Sequence, residues 1–292
     1  METARCKAFL AAAETGSFAR AAERLSYTPS GVNQLVTALE QAVGCCLLHR
    51  SRRGVTLTEN GRILLPAIRD LIHQEDRIFA LAAQVQGLFI GSVTIAAYSS
   101  IATHWLPAVI RAFQQDHPQI RIQLREGIRQ EVTGWLDERI ADLAFLSRQE
   151  PMPYDWIGLA EDPMVAILPR DHPLAGADAY PVERCAYDPI IMPALGRDDD
   201  VAALFARHGV TPNVRFTTLE NFAAIAMVEQ GLGVSIMNDL ITQKRISDVV
   251  KLPLAPAASI ELGLALPAHE TPSPAVLRFR DYAVRALTRG GT

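Results

Sequence analysis

Residues 17–44, SFARAAERLSYTPSGVNQLVTALEQAVG, decide how the N-terminal part of the chain folds. Ser17 can cap a short helix that buries Phe18, Ala21, Ala22 and Leu25, and the two central alanines let another helix cross closely. Thr28 can cap the next helix, Pro29 suits its first position and Gly44 suits its end. Two helices joined by a tight turn, the second capped and amphipathic, form a helix-turn-helix. A helix advances about 100° per residue, so Val32, Leu35, Val36 and Leu39 share one arc and must face a core. Ser30, Gln34, Thr37 and Gln41 lie opposite, with Asn33 on the flank. This outward face has no charge, and no Lys or Arg occurs from Ser26 to His49. It is either a solvated face or a groove-reading one. Gln and Asn pair with the adenine edge, and Ser and Thr are tolerant donors and acceptors.

The flanking sequence supplies what the helix lacks. Upstream, Cys6, Phe9, Leu10 and Ala13 recur at helical spacing up to Gly16. Downstream, Leu47–Arg50 and Val55–Leu57 read as two short strands around a Ser51–Gly54 turn. That wing carries Arg52 and Arg53 at its tip and Arg50 beside it. A solvated turn is the plain account of these arginines. Next to a helix-turn-helix they fit the DNA backbone or minor groove. Backbone N–H groups near Ser30 and Gly31 offer a phosphate seat at the helix start. The 292-residue chain has a net charge of −4, yet residues 1–62 carry +3 and the rest −7. Only the basic head is suited to phosphate.

The stretch FLAAAETGSFARAAERL…SGVNQLVTALEQAVGCCLLHRSRRGVTLTENG resembles the winged helix-turn-helix of LysR-type transcriptional regulators. Phe9, Ser17-Phe18, Ala21-Ala22, Leu25, Val32, Leu39-Glu40, Gly44, Leu47, Arg50, Gly54, Leu57-Thr58 and Gly61 match in order without gaps. The departures fall mainly in the third helix: Pro29 stands for the usual Gln, Asn33 for Ser, Leu35 for a polar residue and Thr37 for a basic one. Leu48 also replaces the usual Phe. These changes bear on operator sequence rather than fold. The resemblance implies double-stranded DNA as a partner, with Ser30, Gly31, Asn33, Gln34, Thr37, Arg50, Arg52 and Arg53 at the interface.

Residues 63–88 read as one long linker helix. Leu64, Ile68, Leu71, Ile78, Ala82 and Val85 recur in steps of four and three if Glu75 is counted, a heptad seam. Packing on the chain's own body is one reading. The resemblance implies pairing of two subunits, a homodimer that assembles further into a tetramer, and contact with RNA polymerase. From residue 89 to 292 strands alternate with helices, which predicts an α/β body with a parallel sheet. MVEQGLGVSIM and DHPQIRIQLREG resemble the same family's effector domain, a two-lobed fold of periplasmic-binding-protein type, although Asn238 stands where Pro is usual. Lobe one is expected at 91–163 plus 268–292, and lobe two at 164–267.

Ligands of open α/β sheets sit beyond the carboxyl ends of strands, against helix N-termini. Ser99, Ser100, Ile128, Arg129, Pro193, Ala194, Thr218 and Asn221 occupy such loops and are the candidate effector-binding residues. Helix capping explains several of them equally well. Arg129 hints at an anionic small molecule. Catalytic signatures such as GxSxG, the P-loop and HExxH do not occur, which speaks against an enzyme. No metal or cofactor is expected: the histidines are scattered, and Asp198-Asp199-Asp200 read as helix-dipole acids. Cys6, Cys45, Cys46 and Cys185 lack metal or CxxC spacing and read as packing residues of a reduced, cytoplasmic protein. No secretory signal and no membrane span is read. The alternative is a solute-binding module with a basic interaction domain, but a transport protein of that fold would carry an export signal.

Overall fold

In the structure, a computed structural model, Ser17 and Thr28 perform the capping that the sequence assigns to them. It describes residues 2–51, 54–85, 90–243, 247–268 and 271–289. Helix α1 spans Thr3–Thr15, α2 Phe18–Leu25 and α3 Pro29–Val43. Val32, Val36 and Leu39 are fully buried with Cys6, Phe9, Ala12 and Ala21, and Leu35 packs against this core. At about 1.5–3 kcal/mol per buried aliphatic side chain, this arc outweighs what any single cap contributes. Cys45 packs at the core edge, whereas Cys46 is exposed and does not pack.

Strands β1 (Leu48–Ser51) and β2 (Gly54–Leu57) form the antiparallel wing, with Arg50 opposite Val55. Arg52 and Arg53, at the expected tip, lie outside the described residues. Gly54 has φ +124°, and a Cβ there would lie 2.6 Å from the Gly16 carbonyl, which accepts the Val55 N–H. The wing is thus pinned to the α1–α2 turn by a position that suits glycine.

Helix α4 runs unbroken over Glu59–Val85 despite Pro66. Its heptad seam divides. Leu65 and Ile68 are buried in the head, with Leu64, Leu71 and Ile72 packed alongside. Glu75 ends this half, receiving Thr3 Oγ1 at 2.6 Å and Lys7 Nζ at 2.6 Å. Beyond it, Ile78, Phe79, Leu81 and Val85 are exposed. Own-chain packing therefore accounts for the first half of the stripe only.

The body contains an eight-stranded mixed sheet. Its order is β4 (Ile120–Glu126), β3 (Gly91–Ala97), β5 (Leu143–Ser147), β12 (Ser259–Pro267), β6 (Tyr154–Pro169), β11 (Val249–Ala255) and β7 (Tyr180–Pro181). Strand β10 (Ser235–Asn238) also pairs with β6. The parallel expectation holds for β3 with β4 and β5, for β11 with β7, and for the separate pair β8 (Ile190–Met192) and β9 (Val214–Thr217). It fails around β6, whose pairings with β10, β11 and β12 are antiparallel. The reason is the two-lobed path. The sixteen-residue β6 runs from one lobe into the other, and the chain must return in the opposite direction. Ser259 already pairs with Pro163. The return crossing thus falls between Ala255 and Ser259, ahead of residue 267.

Each lobe has its own core. Ile95, Leu106, Phe113, Phe145, Leu264 and Phe279 fill the first, and Leu168, Tyr180, Ile190, Phe205 and Ile236 the second. Helices α5 (Ser99–His104) and α6 (Leu106–Asp116) are separated at Trp105, because Pro107 cannot continue a hydrogen-bonded ladder. Helices α7 (Arg129–Asp137), α8 (Asp199–His208), α9 (Asn221–Glu229), α10 (Asp239–Thr242) and α11 (Pro274–Arg289) complete the covering layers.

Candidate DNA interface and interlobe cleft

The outward face of α3 is as neutral as its sequence, but it is not without charge. Arg50 reaches back from β1 and lies across it. Its Nη1 donates to Asn33 Oδ1 at 2.6 Å, and its Nη2 donates to Thr37 Oγ1 at 3.1 Å and Glu40 Oε2 at 2.7 Å. The guanidinium carbon also sits 5.6 Å from the centre of the Phe18 ring. Glu40 is the anchor, since its other oxygen accepts the N–H groups of Leu47 and Leu48 at 2.8 and 3.1 Å. One carboxylate therefore fixes the path from α3 into the wing and the position of Arg50 over the helix. The wing supplies the cation that α3 lacks, and places it on the helix face rather than at the hairpin tip.

Ser30 and Gln34 are exposed; Asn33 and Thr37 are half-buried beneath Arg50. The phosphate seat at Gly31 needs correction. Its N–H is already donated to Thr28 Oγ1 at 3.1 Å, because capping and anion binding compete for the same orphan donors.

The second site is a cavity of about 380 Å³ between the lobes. Ser99, Ser100, Ile128, Arg129, Ala194 and Asn221 line it, which brings together six of the eight residues expected from strand ends. Pro193 and Thr218 are not among the lining residues. Pro193 is buried behind the wall, and Thr218 spends its hydroxyl on the Glu220 carbonyl at 3.0 Å. Arg129 is spent only in part, for its buried Nε makes no hydrogen bond to any described residue. Its Nη2 donates to the Ser147 carbonyl and, at 2.7 Å, to Ser147 Oγ, while Nε lies 3.8 Å from the Asp199 carboxylate.

Sequence reasoning missed the acids. Glu126, Glu131, Asp198, Asp199, Asp200 and Glu220 line the cavity, and among the described residues only Arg129 and Arg197 stand against them. The anion suggested by Arg129 alone is therefore disfavoured: the neighbouring carboxylates outnumber the cations and repel it. Asp198 does cap α8, accepting the N–H groups of Asp200 and Val201 at 3.1 Å. Yet the same strand-end rule that selects Ala194 leads four residues on to this triplet, and would have found it. Burial, with Asp200 close by, pushes the Asp198 carboxyl up to about 6. Asp200 bridges the lobes, receiving Ser147 Oγ at 2.7 Å and Gln149 Nε2 at 3.0 Å. Tyr98 joins this network through Ser147 Oγ at 3.2 Å, and burial raises its phenol so that it stays protonated.

Among the described residues no group of His, Cys, Asp and Glu is arranged to hold a metal ion, and no helix is long and apolar enough to cross a membrane. Burial pushes the Cys185 thiol up to about 12, so it carries no reactive thiolate at neutral pH.

Comparison with known proteins bears on both sites. Residues 4–62 match the family model described as bacterial regulatory helix-turn-helix protein, lysR family, and residues 86–288 match the LysR substrate binding domain. The chain is 30% identical over 287 residues to YvbU, an HTH-type transcriptional regulator of Bacillus subtilis, covering 97% of this chain and 98% of that one. Its fold is similar to full-length OxyR from Pseudomonas aeruginosa, with a TM-score of 0.76 at 20% identity over 99% and 98% of the two chains. It is also similar to the effector binding domain of QuiR in complex with shikimate, with a TM-score of 0.62 at 22% identity over 69% and 99%.

Proposed function

Because the chain belongs to the LysR family of bacterial transcriptional regulators, we propose that it reads its operator through α3 and Arg50, under the control of a small molecule held between the lobes. The observation that carries the DNA half is the Arg50 bridge. It presents a guanidinium beside Asn33, Thr37 and the exposed Gln34 on one helix face. Such a face offers base-edge donors and acceptors together with a charge for phosphate. The interlobe cavity supports the effector half, since helix starts and strand ends converge on it. In this reading the protein is not an enzyme and acts in the cytoplasm, where its DNA is. The exposed part of the α4 stripe, with Ile78 and Val85, joins two copies into a dimer, dimers pair into a tetramer, and the assembly meets RNA polymerase at the promoter. A two-fold dimer calls for an operator with dyad character.

The test is a gel shift on the full chain with its operator and a scrambled duplex. Gln34→Ala is expected to lower operator affinity by about ten- to a hundredfold, the range of one base contact, and to leave scrambled DNA within about twofold. Arg53→Ala is expected to weaken both duplexes and to flatten the salt dependence. If both variants bind both duplexes as the unmodified protein does, α3 and the wing do not hold these roles.

A further inference from the structure

Asn238 stands where the family usually has Pro, and its side chain makes a bond that Pro cannot make. Its Nδ2 donates to the Asp162 carboxylate, which also accepts the Leu240 N–H at 3.1 Å. Asp162 is 5% exposed and sits at the crossing between the lobes. Strand β6 pairs with β12 as far as Pro163, and with β10 and β11 from Met164 onward. Asn238 precedes α10 but its side chain makes no capping bond; Asp162 caps that helix from β6 instead.

Helix α10 straddles the same crossing. Leu240 is buried in the first lobe's core with Ile101 and Leu106, and Ile241 is buried in the second lobe with Val165 and Ile225. Rotation of one lobe against the other must pull one of these side chains from its core or carry α10 past β6. Close packing opposes the first movement, and the bonds to Asp162 oppose the second. Asn238 also lines the interlobe cavity, beside Met164, Ile241 and Ile260. An ionised carboxylate only accepts, so the amide turns its N–H toward Asp162, and its oxygen is left with no partner among the described residues.

We infer that Asn238 is a positioning residue: through Asp162 it pins α10 to the crossing strand and sets the angle between the lobes. The residue that holds this angle is also one that a molecule in the cavity meets. The angle itself does not depend on which molecule the cavity takes. With Pro at this position the carboxylate keeps only its backbone donors, and the pin lacks its charge-assisted side-chain bond.

The test reads the angle as the distance between spin labels at Arg111→Cys in α6 and Ala206→Cys in α8, both exposed positions. The full chain also carries Cys45→Ala and Cys46→Ser, and labelled chain is diluted with unlabelled chain so that distances within one copy are read. Asn238→Ala and Asn238→Pro are expected to move or broaden the distance by more than about 2 Å, the size of a domain rearrangement. Asn238→Asp makes the bond titratable. Two carboxylates this close share one proton in an O–H···O bond, and losing that proton sets like charges against each other. The charged groups next to them are Asp239 and Lys251, bonded to each other at 2.6 Å. Asn238→Asp is therefore expected to match the unmodified distance at pH 5 and to depart from it at pH 9, each read against the unmodified protein at the same pH. Unchanged distances in all three variants overturn the inference even if the melting temperature falls, because the bond then only stabilises the fold. An Asn238→Asp chain that departs equally at both pH values overturns it too, since the bond to Asp162 is then not the cause.

Discussion

Arg50 shows how one residue changes role between sequence and structure. By position it belongs to the wing, beside the Arg52 and Arg53 pair. By contact it belongs to α3, through Asn33, Thr37 and Glu40. A lysine keeps the charge but not the planar fork that makes these bonds together. Arg50→Lys is therefore expected to lower operator affinity about tenfold or more while scrambled DNA stays within about twofold, as read by gel shift across a salt series. Asp198 makes the second case. Its folded carboxyl titrates near pH 6, above its ordinary value of 3.8, with Asp199, Asp200 and Arg129 as its charged neighbours. A raised acid stabilises the fold fully below its unfolded value, and that contribution is lost as pH rises through 6. Asn caps a helix as well as Asp and carries no charge. Asp198→Asn is expected to stabilise the protein at pH 7.5, by on the order of 2–3 kcal/mol at about 1.4 per unit. Near pH 4 it should have little effect. Thermal melts at the two pH values read the difference, and an equal shift at both would mean that charge burial is not the cause.

At the scale of elements, α4 is the instructive one. A heptad stripe reads the same whether its partner is the chain's own head or a second subunit. Leu64, Ile68 and Leu71 meet the head, whereas Ile78 and Val85 are exposed. A stripe of this kind in water favours association. Ile78→Glu with Val85→Glu is expected to leave the monomer's melting temperature nearly unchanged and to raise the dimer dissociation constant by at least tenfold, measured by sedimentation. Helix α7 teaches the same lesson about ends. Its start was legible as a ligand loop, because Arg129 follows a strand. Its far end, the turn at Glu138 and Arg139, was silent in the sequence.

That end matters for the whole molecule. Arg69 of α4 is buried and donates to the Glu138 carbonyl at 2.9 Å and its carboxylate at 3.0 Å. His73 Nε2 meets the Arg139 carbonyl at 2.7 Å, and Arg139 Nε donates to Asp70 at 2.9 Å. Helix α7 thus runs from the interlobe cavity to the linker helix that carries the DNA-binding head. A ligand coupled to DNA binding must favour one of two arrangements of this path. Arg69→Ala removes the bonds to Glu138, which is exposed and is then solvated by water, a loss of about 0.5–1.5 kcal/mol. It is expected to preserve operator binding by the free protein within a few fold and to diminish the change that effector produces, measured by operator titrations with and without ligand. An undiminished ligand response would show that the signal takes another route.

The sequence by itself determined the head. Its caps, its buried arc and its wing follow from contacts within about sixty residues, and short-range patterns encode short-range contacts. It also located most of the cleft, because strand ends and helix starts are local features. Only the tertiary structure decided which way the cleft is charged and what α4 packs against. Asp198–Asp200 and Arg129 lie some seventy residues apart, and they share a cavity only because β6 carries the chain from one lobe into the other. Charge acts through space rather than along the chain, so an arginine that reads as an anion site on its own becomes a partner of Ser147 and Asp199 once the lobes meet.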